Sequence, residues 1–292
     1  MPAKPGKRKL TLRRAVDDGF TYLALTVVSL IFLLPCLWLI LASLSKSGSL
    51  YEIHGFFPAE YSLKTFVDLF TDDVNGLYPY RQWFINTLYV ASMSCVFGTV
   101  LVILTGYVMS RFRFKGRNAI KNLTLVLGMF PGFMSMIAIY HFLKAMGLDQ
   151  TLLALILVYS GGAAMNYYIA KGFFDTIPKS LDEAAILDGA TRSVVFWKII
   201  LPNSRPIVAN IAINAFIAPW VDFIFVSVIM KDNYDNYTVA KGLYTMVDKA
   251  NIYRYYTVFC AGAVVVAVPI VLLFIRLQKY YVAGVAAGSV KG

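Results

Sequence analysis

The polar side chains with the most ordered spacing lie between residues 183 and 202. Glu183 and Asp188 place carboxylates on a helical pattern that stops at Gly189, since glycine can adopt the positive φ that ends a helix. Ser180 stands three residues before Glu183, the spacing of a capping box, in which each side chain bonds the other residue's backbone N–H. We therefore predict a capped helix that ends at the glycine.

A second short helix is predicted directly after this glycine. Thr191 is positioned to cap it, and its buried side should carry four apolar residues, Val194, Val195, Trp197 and Ile199. Pro202 and Pro206 then end the pattern and lead into an apolar run. An intramembrane enzyme would need a nucleophile paired with a base or a set of metal ligands, and neither is visible in the sequence.

Residues for catalysis or metal binding are scarce elsewhere in the chain. There are two histidines, His54 and His141, and the three cysteines all lie inside apolar segments without metal or disulfide spacing. No G-x-x-x-x-G-K-[ST] phosphate-binding loop occurs. We therefore predict no catalytic residue, no metal site and no cofactor bound by this chain. If ATP drives the protein, its hydrolysis belongs to another polypeptide.

The composition is that of a protein with several membrane spans. The chain is 59% hydrophobic and 15% charged, and its mean hydropathy is +0.65, well outside the usual globular range. The formal net charge of +11 could indicate a nucleic-acid partner. However, the charges flank apolar runs and do not form one basic face, which argues against nucleic acid and for a lipid bilayer.

Apolar runs long enough to cross about 30 Å of hydrocarbon predict an all-α membrane protein with six transmembrane helices. They lie at about residues 20–44, 82–110, 123–142, 151–170, 206–230 and 255–275. The loop 111–121 carries five basic residues and no acid, which marks the cytoplasmic side. Six spans then place both termini in the cytoplasm.

One carboxylate, Asp222, lies well inside an apolar span. A charge near the bilayer centre costs about 2.5–3.5 kcal/mol on insertion scales, so Asp222 should face protein or a water-filled path. Asn166 and Asn214 are weaker candidates for the same translocation path. The alternatives are a helix-packing hydrogen bond or a position near the outer interface.

The 183–202 segment resembles the EAA loop of ABC-importer permeases: Glu-Ala-Ala, three residues, Gly, nine residues, then Ile-x-Leu-Pro. The chain fills every position of this pattern, with Glu183, Ala184, Ala185, Gly189, Ile199, Leu201 and Pro202. In that family the loop is the coupling helix, which docks in a cleft of the cytoplasmic ATPase. The resemblance implies that these residues and Asp188 couple the chain to an ATPase, with Glu183 paired to a basic residue on it.

Two further segments resemble carbohydrate permeases of this family. Trp220, Asp222 and Phe223 match its Trp-Asn-Asp-Phe element, with Val221 in place of Asn, which implies that Trp220 and Asp222 line the path. The C-terminal residues resemble the family's Gly-x-x-x-Gly-x-Val-Lys-Gly ending. This resemblance implies that four tail residues contact the ATPase: Gly288, Val290, Lys291 and Gly292.

The chain is most similar to the maltose/maltodextrin type of permease, which implies the fold of ABC type I importer permeases. We expect a basic cytoplasmic arm at 1–19, a six-helix permease domain at 20–279 that includes the cytoplasmic coupling loop 171–205, and a cytoplasmic tail at 280–292. The implied partners are a second homologous permease, a cytoplasmic ATPase dimer that holds ATP-Mg, and an extracytoplasmic sugar-binding protein, at a bacterial plasma membrane.

The function implied is oligosaccharide uptake driven by ATP hydrolysis in the partner subunits, with malto-oligosaccharide as the leading substrate. Galacto-oligosaccharide, a raffinose-like sugar or glycerol phosphate are alternatives that use the same machinery. A secondary transporter is an alternative of another class, but only Asp222 could serve there as an intramembrane ion relay.

Overall fold

The computed structural model describes residues 12–46, 49, 55–71, 76–130, 132–162 and 164–289, and within these ranges the chain forms no β-strand. The first helices are α1 Leu12–Ser43, α2 Lys64–Thr71, α3 Tyr80–Arg111, α4 Arg117–Gly128, α5 Gly132–Ala145, α6 Leu152–Gly161, α7 Ala164–Thr176 and α8 Lys179–Leu187. They are followed by α9 Arg192–Val194, a π-helical turn Val195–Ile200, α10 Leu201–Asn203, α11 Arg205–Val221, α12 Ile224–Met230, a 3₁₀ turn Tyr234–Asn236, α13 Val239–Met246 and α14 Ile252–Ser289.

The prediction of an all-α membrane protein is confirmed. Four continuous or nearly continuous helical stretches are long and apolar enough to cross a bilayer: Asp17–Ser43, Tyr80–Arg111, Leu152–Thr176 and Ile252–Tyr280. The pair α11 and α12, which bends by 63° at its break, is long and apolar enough to make a fifth if the two helices form one span. The remaining predicted span is divided into α4 and α5 around position 131, so each half is short, and a count of six spans is consistent with the structure.

The predicted domain boundaries stay predictions. Helix α1 begins at Leu12, inside the predicted arm 1–19, and α14 continues through the predicted tail as far as Ser289. The described glycines of that tail therefore lie inside α14 and do not end it.

Helix α3 is the central element of the bundle, because it packs against α6, α7 and α11. Its contact with α7 is especially close: a Cβ at Gly106 would lie 2.8 Å from the Ala170 Cβ and 3.2 Å from the Lys171 backbone nitrogen. Only a glycine fits such an approach of two backbones. This contact brings the C-terminal half of α3 next to the predicted coupling loop.

Buried side chains form two clusters, one near each end of α3. The cluster around the start of α3 includes Trp83, Trp220 and Tyr237. The cluster around its end includes Tyr107, Phe174 and Phe196. The second cluster packs the predicted coupling loop against the bundle. The first packs the segment 231–255, which the alternation of six spans predicts on the outer side, against the spans.

Trp83 organises the first cluster. Its side chain is fully buried, its Nε1–H donates to the Tyr234 carbonyl oxygen at 2.9 Å, and its ring lies on Gly242 of α13. A Cβ at Gly242 would stand 2.0 Å from the Trp83 Cε3 atom. Sequence analysis missed α13, which lies in the predicted outer loop 231–255.

We expect Gly242→Ala to destabilise the protein, since the new methyl group overlaps a buried ring that is held by its own hydrogen bond. Overpacking of this kind costs about 1–3 kcal/mol and should lower the apparent Tm in detergent by roughly 5–10 °C. The control is Gly172→Ala, at a helical glycine with nothing within 4 Å of the new Cβ; it should leave Tm unchanged or raise it slightly. Equal Tm values for both variants would contradict the packing role of Gly242.

Candidate functional site: the 179–203 loop and the intramembrane cavity

Helix α8 carries the Glu-Ala-Ala residues and begins differently from the prediction. Its N-cap is Pro178, with no side-chain cap hydrogen bond, and Ser180 already lies inside the helix. The predicted capping box of Ser180 and Glu183 is therefore wrong, because the helix starts at Lys179 and a residue inside the first turn cannot act as its N-cap. The Glu183 side chain is exposed.

The predicted stop at Gly189 is confirmed. Gly189 has φ +86°, and the backbone after α8 forms two hydrogen bonds back to the helix. The Ala190 N–H donates to the Ala185 carbonyl at 2.9 Å, and the Gly189 N–H donates to the Ile186 carbonyl at 3.0 Å. This pair of bonds is a Schellman motif, which fixes the angle at which the chain leaves α8.

The second half of the loop is capped as predicted but is wound differently. Thr191 Oγ1 accepts from the Val194 N–H at 3.4 Å. The next six residues form the π-helical turn, and its wider winding buries Val195, Phe196 and Ile200. Trp197 is 60% exposed and Val194 also lies at the surface, so the prediction that they are buried is wrong.

The predicted coupling residues divide into an anchored group and an exposed group. Ala185 is buried, and Ile199 and Leu201 pack against the cluster at the end of α3. The others lie at the surface: Glu183, Ala184, Asp188, Gly189 and Pro202. One face of the loop is thus packed against the bundle, and the other face is exposed at the surface.

The exposed face of the loop is largely apolar. Leu187 is 87% exposed, and Leu181, Ile186 and Trp197 also expose large parts of their side chains. Several large apolar side chains exposed on one short loop are typical of a protein-binding site. Within the described residues no side chain approaches Glu183 to form a hydrogen bond or an ion pair. The carboxylate is therefore available to a partner.

A cavity of about 430 Å³ lies among α3, α5, α6, α7, α11 and α12. Three of the predicted path residues, Asn166, Asn214 and Asp222, line it together with Tyr159. The sequence places Tyr159 and Asn166 in one predicted span and Asn214 and Asp222 in another, and the fold brings all four to one cavity.

Asp222 lies at the break between α11 and α12, and its side chain joins the start of α12 to α6. Its Oδ1 accepts from the Phe225 N–H at 2.9 Å, at the start of α12, and its Oδ2 accepts from the Tyr159 hydroxyl at 3.1 Å. A carboxylate at a helix N-terminus is stabilised by the unpaired N–H groups there. Sequence analysis missed Tyr159, and its position alone gave no signal.

Trp220 is the predicted path residue that the structure places elsewhere. Its side chain is 2% exposed and packs against Phe84, with ring centroids 5.2 Å apart, and against Phe216. It does not line the cavity, because its ring is packed against Phe84 and Phe216. Its role in this conformation is packing.

Of the predicted tail contacts, Gly288 lies in α14, and Val290, Lys291 and Gly292 lie outside the described residues. Across the described ranges, no group of three or more His, Cys, Asp and Glu residues is placed to hold a metal ion.

Residues 98–286 match the family described as binding-protein-dependent transport system inner membrane component. The chain belongs to this family. It is 36% identical to the galactooligosaccharides transport system permease protein GanQ of Bacillus subtilis (strain 168) over 284 residues, 97% of this chain and 99% of GanQ. It is 35% identical to the maltodextrin transport system permease protein MalD of Streptococcus pneumoniae over 287 residues, again 97% of this chain and 99% of the relative.

The fold has solved neighbours as well. A chain of a bacterial ABC transporter involved in the import of the acidic polysaccharide alginate aligns with a TM-score of 0.77 at 18% identity, over 94% of this chain and all of that one. A chain of the MetNI methionine ABC transporter, in an inward-facing conformation, aligns with a TM-score of 0.55 over 70% of this chain. The predicted ABC-importer permease fold is confirmed, and this family member is a membrane permease subunit, not an enzyme.

Proposed function

We propose that this permease forms, with a second homologous permease, the pathway for uptake of a neutral oligosaccharide, with malto-oligosaccharide as the leading substrate. The observation that carries the proposal is the cavity that Asn166, Asn214, Asp222 and Tyr159 line within the membrane spans. Amide, carboxylate and phenol groups are the partners that sugar hydroxyls need for hydrogen bonding.

The charge of the cavity argues for a neutral substrate. Asp222 is its one ionisable carboxylate, and no lysine, arginine or histidine is among the described residues that line it. An anionic substrate would have to be desolvated beside a carboxylate without a compensating cation, which is costly. Glycerol phosphate, an alternative from the sequence, is therefore disfavoured, and so is an acidic polysaccharide.

Galacto-oligosaccharide is the second candidate. The relative named for galactooligosaccharide transport and that named for maltodextrin transport are 36% and 35% identical to this chain, so similarity does not separate the two sugars. The cavity offers hydroxyl-binding groups of the kind that both sugars need, and the choice between them falls to experiment.

The proposed assembly places a cytoplasmic ATPase dimer against the exposed face of the 179–203 loop. This supports the proposed coupling roles of Glu183, Asp188 and Gly189, because they lie on that face. An extracytoplasmic sugar-binding protein would dock on the opposite end, near the loop 231–255. The five basic residues of 111–121 put the ATPase side in the cytoplasm.

The test is sugar-stimulated ATP hydrolysis by the complete transporter, with both permeases, the ATPase and the cognate binding protein reconstituted in vesicles. We expect maltotriose to stimulate hydrolysis and to accumulate in a vanadate-sensitive, protonophore-insensitive way, and glycerol phosphate to have no effect. Stimulation by a galacto-oligosaccharide and not by maltotriose would move the assignment to the second candidate. A response to glycerol phosphate alone, or uptake driven by a proton gradient, would overturn the proposal.

A further inference from the structure

The cytoplasmic end of α3 contacts the coupling loop through two consecutive residues. Ser110 Oγ donates to Asp175 Oδ1 at 2.6 Å. Arg111 Nη2 donates to the Ile177 carbonyl oxygen at 2.9 Å, and Arg111 Nε lies 2.9 Å from Asp182 Oδ2. The last turn of one transmembrane helix is thus joined to the end of α7, to the α7–α8 connection and to α8 itself.

The ion pair of Arg111 and Asp182 is buried, although it lies beyond the apolar run. The Arg111 side chain is 4% exposed and that of Asp182 is 16% exposed, whereas the ion pair of Lys46 and Glu60 is 67% and 66% exposed. An exposed pair contributes little to structure because water screens it and the side chains stay mobile. Separating the partners of a buried pair is costly because it leaves an uncompensated buried charge. The pair therefore holds the two helices at a fixed distance.

Most of the charged groups around this pair are cations. The space between α3 and α8, about 510 Å³, is lined by the cations Arg113, Lys179 and Arg192 as well as by Arg111. Glu183 also lines this space, but it forms no ion pair in the described part of the chain. Asp182 is therefore the acid that fixes Arg111.

The end of α3 also contacts the second half of the loop. The Arg192 guanidinium stands 5.0 Å from the ring centroid of Phe112, the residue after Arg111, and the Tyr107 ring lies 4.6 Å from that of Phe196. Both halves of the loop are therefore in contact with the end of α3. In α8 this contact is made by Asp182, the residue next to Glu183.

We propose that Arg111 and Asp182 are positioning residues that make α8 and α3 move as one body, so that displacement of the loop by an ATPase reaches the cavity-lining spans. This inference rests on the proposed function, because it assigns the transmission step of that transport cycle. The connection to the cavity is direct, since Gly98 and Val102 of the same helix α3 line it.

The experiment compares wild type with Asp182→Asn in the complete reconstituted transporter, measuring sugar accumulated per ATP hydrolysed. We expect that ratio to fall about tenfold while basal ATP hydrolysis persists. A variant that was merely less folded would lower uptake and hydrolysis together and leave the ratio unchanged. Asp182→Glu, which keeps the charge, should retain most of the ratio, and Asp18→Asn, which removes an exposed acid from α1, should retain all of it. An unchanged ratio in Asp182→Asn overturns the proposal.

A second measurement does not depend on the sugar. Hydrogen exchange of the backbone amides 181–187 in the assembled complex should be faster in Asp182→Asn than in wild type, and equal exchange would overturn the proposal.

If Asp182→Asn fails to assemble, Arg111→Met combined with Asp182→Leu removes both charges and keeps apolar packing. Full coupling in that variant contradicts the proposal. A wild-type complex that responds to no sugar contradicts the proposed function instead, and amide exchange then decides the positioning role.

Discussion

Glu183→Arg is expected to reduce sugar uptake by roughly 30-fold or more, which corresponds to about 2 kcal/mol, the lower end of the cost of breaking a desolvated charge pair at an interface. The structure supports this expectation because the carboxylate is exposed on a loop whose outward face is apolar. The substitution puts a cation where the proposed partner is basic. The Glu183 side chain is exposed, so membrane insertion and the Tm of the isolated permease should change little.

The measurement is the amount of permease inserted in membranes, followed by uptake and by the ATPase recovered with the purified complex. Asp18→Arg is the matched control, since it also reverses one exposed acid near the predicted cytoplasmic side, away from the loop. Glu183→Gln should lie between wild type and arginine, because it removes the charge without repulsion. Normal uptake with Glu183→Arg would remove the docking role of this residue.

Gly189→Val is expected to lower uptake and coupled ATP hydrolysis by roughly 5- to 30-fold, because left-handed backbone costs an L-residue about 1–2 kcal/mol. Gly189 has φ +86° and nothing lies within 4 Å of a Cβ built there, so the effect comes from backbone strain and not from a clash. A chain that relieves the strain must give up the Schellman bonds. The second half of the loop then leaves α8 at another angle.

Gly189→Asn separates backbone conformation from side-chain size, since asparagine tolerates the left-handed region. It should retain most of the activity. Gly147→Val introduces the same residue at another open glycine with positive φ, +67°, in the turn after α5, and it should leave basal ATP hydrolysis and ATPase recovery unchanged. If Asn and Val at position 189 reduce uptake equally, the requirement for left-handed backbone is wrong.

The spans and the loop could be predicted because their signals are local. The stop at Gly189 and the cap at Thr191 depend on conformational preferences of a few adjacent residues, and both are confirmed. Trp197 is exposed and not buried as predicted, because the prediction depends on 3.6 residues per turn, whereas the π-helical turn is wound more widely. No property of a single residue predicts the change from α-helical to π-helical winding.

Other features depend on contacts between distant segments. Helix α13 has a local signal, since Val239, Leu243 and Met246 recur at helical spacing and are all buried. Its position, however, is set by the ring of Trp83, more than 150 residues earlier in the chain. The cavity likewise gathers Asn166 from one predicted span and Asn214 and Asp222 from another. Sequence could nominate these residues one by one, but only the packing of α3, α7 and α11 brings them together.

The break at Asp222 has a consequence for how firmly a sugar can be held. The last carbonyl groups of α11 have no partner in their own helix, and at this depth water in the cavity must satisfy those that protein does not. An arriving sugar would replace such waters one for one, exchanging hydrogen bonds of similar strength. Its residence there should be brief and its affinity modest. Weak binding suits a transport pathway, because a substrate that is bound tightly dissociates slowly.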